Sequence, residues 1–577
     1  MTPRPLSSPR PWAWWLMFVV LALVAVGRLQ LLNFPLERDE GEYAYAGQLI
    51  LQGIPPYELA YNMKFPGTYL AYAAIMAGFG ETPFGIHFGL LLVTTATAVM
   101  LYWLGKRLLD ALAGAVAASS YAVMAASTAM FGNAAHATIF GACCVVAGLC
   151  LLTRCAESKG DAASPKVAAV PPPPVASRGI LDIRAWSFFR PSTFDLRHCL
   201  RPATAGFMFG LAILMKQHAL FIALWAGLLL LAWSLRRKEL RIGQRALPLL
   251  AFAAGVLLPF GWCCGWLWHA GVFGKFWFWT IDYARAYVAI NHREDILRQL
   301  SWSLHSIFAD CWLWWFAVAG CGVIWLDGRL RSVRGWLAGL VVASGLTTVP
   351  GFYFRTHYFH LVLPVAALLA GCAVSGGVAW LRHPARGKRW WPVPVALYVS
   401  VLTAVLIHDA DVVAVLSRVG GHALHGLEPV PESQVVAAYI QSQSPAMARV
   451  AVLGSEPQIY FYSHRHSATG YIYIYGLMEP QPFAMRMQHE MMAEIETNAP
   501  EFVVYSTIDS SWQRRPDSVR DIFNWWAAYR TNYDLVGVAE VSSLVETHYY
   551  WDADAARHGP LKGVGLELYR RRAASAK

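Results

Sequence analysis

The stretch Glu37-Arg38-Asp39-Glu40-Gly41-Glu42-Tyr43-Ala44-Tyr45, followed by Asn62-Met63-Lys64-Phe65-Pro66-Gly67-Thr68-Tyr69, sets the reading of the whole chain. It follows directly on a first apolar run and carries a density of charge that the neighbouring hydrophobic segments lack. An adjacent acid pair, Asp39 and Glu40, stands where the chain leaves that run, and Lys64 lies downstream. Around this loop the composition is that of an integral membrane protein. Of 577 residues, 56% are hydrophobic and only 14% charged, where a soluble domain is about a quarter charged. Mean hydropathy is +0.39. The 25 Trp, 25 Tyr and 28 Phe suit a chain whose amphipathic rings sit at both membrane interfaces.

A net charge of +11 is a nucleic-acid signal only when the basic residues form a patch. Here they fall in short loops between apolar runs, which is a topology signal and points to no nucleic acid. The ten cysteines all lie between Cys143 and Cys372. Adjacent pairs such as Cys143-Cys144 and Cys263-Cys264 lack the two-residue gap of a metal knuckle, so buried free thiols are expected and no zinc site.

Apolar runs able to span a core of about 30 Å fall near 12–32, 86–104, 111–131, 136–153, 246–268, 302–326, 336–354, 357–379 and 391–408. The run 203–235 is twice too long for one straight span and is interrupted by Lys216-Gln217-His218. It reads as two short helices with that polar trio at their turn. The expected fold is therefore mainly α-helical and polytopic, with about eleven transmembrane helices. Arg4 and Arg10 precede the first run, which reads as a retained signal anchor.

The basic loops alternate onto one side, the cytoplasm by the positive-inside rule, together with the N-terminus. That side also holds 154–201, which contains Pro171-Pro172-Pro173-Pro174 and reads as a Pro-rich linker. The loop 33–85, the Lys216 turn, the loop 269–300 and the turn Arg355-Thr356-His357 then share the outer side of an inner or plasma membrane. Residues 1–409 form the transmembrane domain, with its active site expected in the first outer loop, 33–85. From 410 to 577 the apolar blocks shrink to strand length at Arg449–Leu453, Phe502–Tyr505, Leu535–Val538 and Gly565–Tyr569. Helix-like stretches near Glu432–Gln441, Ala484–Glu496 and Val519–Arg530 alternate with them, the pattern of a small extracytoplasmic α/β domain. Its Val452-Leu453-Gly454-Ser455-Glu456-Pro457 loop lacks the spaced glycines of a dinucleotide site. Asp552-Ala553-Asp554 is a formal DxD that reads as coincidental.

Asp39 has two readings. Asp39-Glu40-Gly41-Glu42 is a helix-entry pattern, with an acid at the N-cap and Glu three residues on. Tyr43, Ala46, Leu49 and Ile50 then lay an amphipathic helix along the interface with its apolar face in lipid. Alternatively, a partly desolvated carboxylate at the membrane boundary takes a proton from an attacking hydroxyl or amine. A cap also fixes a carboxylate's position, so the two are compatible. Lys64, Lys216 and Arg355, with His218 and His357, bring positive charge to the outer ends of separate spans. Each alone reads as snorkelling or topogenic; converging, they suit a phosphate held at headgroup depth. The reaction described is attack on a sugar carried by a lipid phosphate, with inversion at the anomeric carbon if the acceptor enters opposite the phosphate.

Arg38-Asp39-Glu40-Gly41-Glu42-Tyr43-Ala44-Tyr45-Ala46 with Lys64-Phe65-Pro66-Gly67-Thr68-Tyr69-Leu70 resembles the first outer loop of GT-C glycosyltransferases, notably the protein O-mannosyltransferases and aminoarabinose lipid A transferases. Arg355-Thr356-His357-Tyr358-Phe359-His360-Leu361-Val362-Leu363-Pro364 is similar to a later outer turn of that family, and Gly210 to Lys216 to its helix–Lys turn. The resemblance implies a polyprenyl-phosphate-linked sugar donor and an outward-facing site. Asp39 and Glu40 would be the catalytic acids, with Asp39 engaging the acceptor. Lys64, Arg355 and Lys216 would bind the donor phosphate, and Tyr43, Tyr69, His218, His357 and Tyr358 would contact substrate. Phe65-Pro66 replaces the family's two prolines. The C-terminal domain does not resemble the domains appended to eukaryotic O-mannosyltransferases. The acceptor stays open among glycolipid, cell-wall polymer and protein. No cofactor is required by the pattern, although Asp39, Glu40 and the histidines can bind a divalent metal. A lipid-linked-sugar flippase or a non-catalytic envelope assembly protein are the alternatives. Transport folds show internal repeats and mid-membrane charge, whereas charge here clusters at the outer interface.

Overall fold

The computed structural model describes residues 11–154, 197–290, 293–382 and 390–572. Most of the linker at 154–201, the arginines at 4 and 10, and most of the basic loop 382–389 lie outside these residues. In the first half the helices are α1 (Pro11–Gln30), α2 (Arg38–Leu51), α3 (Gly67–Phe79), α4 (Pro83–Leu108), α5 (Ala111–Met124), α6 (Ala137–Arg154), α7 (Arg197–Met215), α8 (Leu220–Arg236) and α9 (Ile242–His269).

Among the described residues, six helices are long and apolar enough to cross a membrane: Ala13–Gln30, Pro83–Leu108, Gln217–Arg236, Ile242–His269, Leu363–Leu381 and Val393–Val419. The chain is a multi-pass membrane protein. The count of eleven spans is not reproduced by length. The runs at 111–131, 136–153 and 336–354 and the first half of 203–235 form shorter apolar helices. The run 302–326 is broken into Asp295–Asp310 and Trp314–Leu326, bent by 103°; counted as one span, it brings the total to seven. Hydropathy reads straight through this break because Cys311-Trp312-Leu313 contains neither Pro nor Gly. The last span runs on to Val419, past the 409/410 boundary expected between the domains.

Close packing of α7 on α9 depends on glycine. A Cβ on Gly206 would lie 2.1 Å from the Phe252 carbonyl oxygen, and one on Gly255 2.1 Å from that of Ala203. In lipid, where apolar contact alone gives little drive, such small residues let two backbones approach.

The C-terminal part carries the expected strands and two more. The six are β1 (Arg449–Leu453), β2 (His466–Ser467), β3 (Phe502–Ser506), β4 (Tyr533–Val541), β5 (Thr547–Trp551) and β6 (Gly565–Arg571). They form one sheet in the order β2-β1-β3-β6-β4-β5. β1 is parallel to β2 and β3, and β6 runs antiparallel between β3 and β4. Period-2 alternation decides what each face covers. Val450, Val452, Phe502 and Val504 pack with Tyr45, Leu49 and Ile459. Ala451, Leu453 and Val503 pack on the other face with Met487, Met491 and Ile495 and reach Trp279 and Tyr283.

α2 is therefore the joint between the two parts. Its N-cap is Glu37, not Asp39: the Glu37 carboxylate accepts hydrogen bonds from the Asp39 and Glu40 backbone N–H groups at 2.9 and 3.0 Å. The helix ends at Gln52-Gly53, where Gly53 adopts φ 82°. The expected interfacial helix with one face in lipid is not what forms: α2 is buried on every side from Glu40 to Leu49. Tyr43, Ala46 and Leu49 are buried in the cluster shared with the sheet, α3 and α4. Gly41 makes this possible, since a Cβ there would sit 2.5 Å from Cβ of Gln458. Arg38, 4% exposed, clamps the joint through Glu456 and Glu428, each at 2.8 Å.

Candidate active site

With Glu37 capping α2, the Asp39 carboxylate is left free of the helix. On an α-helix, residues three and four apart share a face, so Asp39, Glu42 and Tyr43 line up together. Lys64 meets them from the loop before α3. Its ammonium donates to Asp39 Oδ1 at 2.9 Å and Glu42 Oε2 at 2.7 Å, and lies 4.4 Å from the centre of the Tyr43 ring. The loop is pinned by the Tyr57 hydroxyl on the Lys64 carbonyl at 2.6 Å and by Gln217 on that of Met63 at 3.1 Å. Tyr473, from the C-terminal domain, donates its hydroxyl to the same Asp39 Oδ1 at 3.0 Å. Burial opposes ionisation of Asp39, but the neighbouring Lys64 ammonium holds its carboxyl well below the usual carboxylate range. Burial likewise opposes charge on Lys64, and Asp39 and Glu42 raise its pKa well above that of a free lysine.

Neighbours on a helix diverge by about 100°, so Glu40 points elsewhere. It is 2% exposed, accepts from the Ala135 backbone N–H at 2.7 Å and lies 3.2 Å from His87 Nε2. It does not line the cavity described next, which corrects its expected place beside Asp39 as a catalytic group. Tyr69 also stays behind the wall, donating to Glu42 Oε1 at 2.6 Å and 1% exposed. Its expected substrate contact is corrected for the same reason: its hydroxyl is taken.

Asp39, Tyr43 and Lys64 open into a cavity of about 360 Å³ that also receives Lys216, His218, Arg355, His357 and Tyr358. Eight of the ten residues expected at the site thus converge on one space. Lys216 sits in the extended link between α7 and α8, its ammonium 4.6 Å from the centre of the Tyr358 ring. Arg355 follows a tight segment in which Phe352 and Phe354 adopt φ 55° and 43°, left-handed values that bulky residues rarely take and that mark functional loops. Among the described residues, neither Lys216 nor Arg355 has an ion pair with a carboxylate. Burial, and then the repulsion of Lys64, push the Lys216 ammonium down to about 8. The nearby Tyr287 raises Arg355 further, so its guanidinium stays charged. His218 lies against the Thr347 carbonyl at 2.9 Å and edge-on to Tyr358.

Several site residues carry no signal in the sequence. His136 approaches Asp39 Oδ2 at 3.9 Å and stacks on His357 with ring centres 4.7 Å apart. Burial lowers both imidazoles, which keeps them neutral. Glu42 was adjacent to the expected acids; its spacing of three from Asp39 was the available clue. Tyr473, Tyr475, Glu479 and Gln513 reach the cavity from the C-terminal domain. A π-helical turn, Phe278–Tyr283, presents Trp279 and Tyr283, and such turns recur at functional sites.

Glu37, Asp39 and His136 are the one set among the described residues that could gather round a metal ion, with donor atoms within 4.8 Å of one another. The fit is partial. Buried His136 Nε2 has no hydrogen-bond partner, but Glu37 already accepts two α2 amides and Asp39 Oδ1 holds Lys64 and Tyr473.

The fold recurs in known structures. ArnT from Cupriavidus metallidurans bound to undecaprenyl phosphate matches with a TM-score of 0.56 at 14% identity, over 98% of each chain. This chain shares the fold of that structure. Apo ArnT from the same organism matches at 0.52 and 15% identity, over 95% of this chain and 99% of that one. The archaeal oligosaccharyltransferase AglB from Archaeoglobus fulgidus, in complex with an inhibitory peptide and a dolichol-phosphate, matches at 0.50 and 13% identity, over 96% of this chain and 75% of AglB. No protein-family model matches the chain, and no curated protein matches it. At these identities the likeness is one of fold.

Proposed function

We propose that this protein is an inverting glycosyltransferase that moves a sugar from a polyprenyl-phosphate-linked donor to an acceptor on the outer face of the membrane. One observation carries the reading. A carboxylate held ionised by a half-buried lysine shares a single cavity with two cations that, among the described residues, form no ion pair with a carboxylate. The solved GT-C structures with undecaprenyl phosphate and dolichol-phosphate support a lipid phosphate as the anion.

Lys216 and Arg355 hold the donor phosphate. As the anomeric C–O bond breaks, its electron pair goes to the phosphate oxygen, and these cations stabilise the charge that develops there. The acceptor oxygen forms the new bond from the opposite face and passes its proton to Asp39. A carboxylate with a strongly lowered pKa is a weak base in the ground state. It takes the proton late, once bond formation has made the acceptor hydroxyl acidic. Lys64, expected at the phosphate, instead keeps Asp39 ionised and aimed. Glu40 orients the loop that carries His136. No step in this scheme passes through a metal ion. The N-terminus and the Pro-rich linker are cytoplasmic, and the C-terminal domain lies outside against α2. Glycolipid, cell-wall polymer and protein are all compatible acceptors.

The test is turnover by the purified protein in proteoliposomes, supplied with undecaprenyl-phosphate hexoses and an envelope extract. Acceptor-dependent release of undecaprenyl phosphate, with the sugar recovered on an extract component of inverted configuration, is expected. Movement of donor between leaflets without sugar transfer contradicts the reading.

A further inference from the structure

Away from Asp39 the cavity changes character. From Arg355 a row of rings runs along the wall. The Arg355 guanidinium lies 5.7 Å from the centre of the Tyr353 ring, and Tyr353 stacks on Tyr287 at 4.9 Å. Tyr287, Tyr283, Trp279 and Tyr61 follow at centre separations of 6.4, 5.0 and 5.9 Å. All five line the cavity. Facing them from the C-terminal domain is Glu479, 7% exposed, whose Oε2 accepts from the Tyr283 hydroxyl at 2.7 Å. That hydroxyl is held over Gly476, where a Cβ would stand 2.7 Å away. Among the described residues, Glu479 has no ion pair. The mechanism above uses neither these rings nor Glu479.

We propose that this wall and Glu479 form a subsite for the neutral, hydroxyl-bearing ring of the transferred sugar, making Glu479 and Tyr283 specificity-determining residues supplied across the domain joint. The inference rests on the reading of Lys216 and Arg355 as the phosphate site. A buried carboxylate excludes the polyprenyl chain, because hydrocarbon offers it no partner beyond the one hydrogen bond from Tyr283. A cationic ligand also suits aromatic rings beside a carboxylate, but Arg355 and Arg515 already place positive charge within reach of Glu479. Burial is the main influence on the Glu479 carboxyl and raises its pKa, which suits a hydrogen-bonding role towards hydroxyls over a salt bridge. The apolar C–H faces of a sugar ring match the tyrosine and tryptophan faces, and its hydroxyls match Glu479 and the phenols. A sugar on a phosphate at Arg355 starts where this wall starts.

The experiment is competition binding to the full chain in nanodiscs. Labelled undecaprenyl phosphate is displaced by unlabelled undecaprenyl phosphate and by its glucose, galactose, mannose and amino-sugar conjugates. At least one hexose conjugate is expected to bind about tenfold more tightly than undecaprenyl phosphate, from one or two added hydrogen bonds. Glu479→Gln and, independently, Tyr283→Phe bring that conjugate to parity while the affinity for undecaprenyl phosphate itself stays within about twofold. A hexose preference that survives both variants overturns the subsite, as does the lack of any preference among the conjugates. An amino-sugar conjugate favoured over every hexose overturns the neutral-sugar assignment. Binding of undecaprenyl phosphate that is absent, or indifferent to Lys216→Ala and Arg355→Ala, overturns the phosphate site and the subsite with it.

Discussion

Lys216 gives the site a titration that can be read in turnover. Its ammonium is pushed down to about 8, first by burial and then by Lys64. On the proposed reading only the protonated form attracts the donor phosphate, so donor capture is expected to be complete below this value and lost as pH rises through it. One unit above, at about pH 9, roughly one molecule in eleven keeps the charge. The kcat/KM for donor, which reports the free enzyme, is therefore expected to fall about tenfold from its plateau. A phosphodiester carries its single charge throughout this range and adds no limb of its own. Arginine stays charged at every pH measured here, so Lys216→Arg is expected to abolish the alkaline limb. Lys216→Ala is expected to lower the plateau by roughly ten- to a hundredfold, the worth of a charged hydrogen bond, and also to lose the limb. The assay is initial-rate turnover of a radiolabelled polyprenyl-phospho-sugar from about pH 6 to pH 10, with enzyme integrity checked at each end. An alkaline limb that persists unchanged in Lys216→Arg refutes the assignment.

Three further outcomes follow from the same geometry. Lys64→Ala leaves half-buried Asp39 and buried Glu42 without their shared cation, which raises the Asp39 pKa; turnover is expected to gain an acid limb, falling as pH drops through the raised value, and Tm is expected to fall because the buried Glu42 carboxylate loses its ion pair. Gly41→Ala drives a Cβ into Gln458 and is expected to destabilise the joint by about 1–3 kcal/mol, seen as a lower Tm in detergent and faster proteolytic release of the C-terminal domain. Chelation is expected to leave turnover unchanged, since Glu37 and Asp39 are committed to α2 and Lys64; loss on EDTA treatment, restored by a divalent cation, would show that the Glu37, Asp39 and His136 set holds one.

Much of the fold was legible because it is written locally. Apolar runs mark helices, and the strands at Arg449, Phe502, Leu535 and Gly565 stand out by length and alternation. β5 escapes notice because Thr547-His548-Tyr549-Tyr550-Trp551 is aromatic and polar, and β2 because two residues carry no period. Hydropathy shows that α2 has an apolar face and cannot show what covers it; here the cover is a sheet some 400 residues away. The expected cap at Asp39 was displaced by two positions because the Glu37 carboxylate reaches the Asp39 and Glu40 amides and lies outside the apolar pattern. Charged residues at the ends of spans were readable as a group, since charge next to lipid is costly and rare. His136, Tyr473 and Glu479 were not. Their roles come from tertiary contacts across 97, 434 and 196 residues, to Asp39, Asp39 and Tyr283, and no local spacing encodes such pairings.

In the proposed reaction, Asp39 accepts the acceptor's proton. Asp39→Asn keeps the shape, and Glu42 still pairs with Lys64, so the chain is expected to insert normally and to bind undecaprenyl phosphate. Transfer of sugar from a radiolabelled undecaprenyl-phosphate donor by that variant, measured at saturating donor, is expected to drop by about 10²- to 10⁴-fold. Turnover within a few-fold of the parent enzyme would contradict the account.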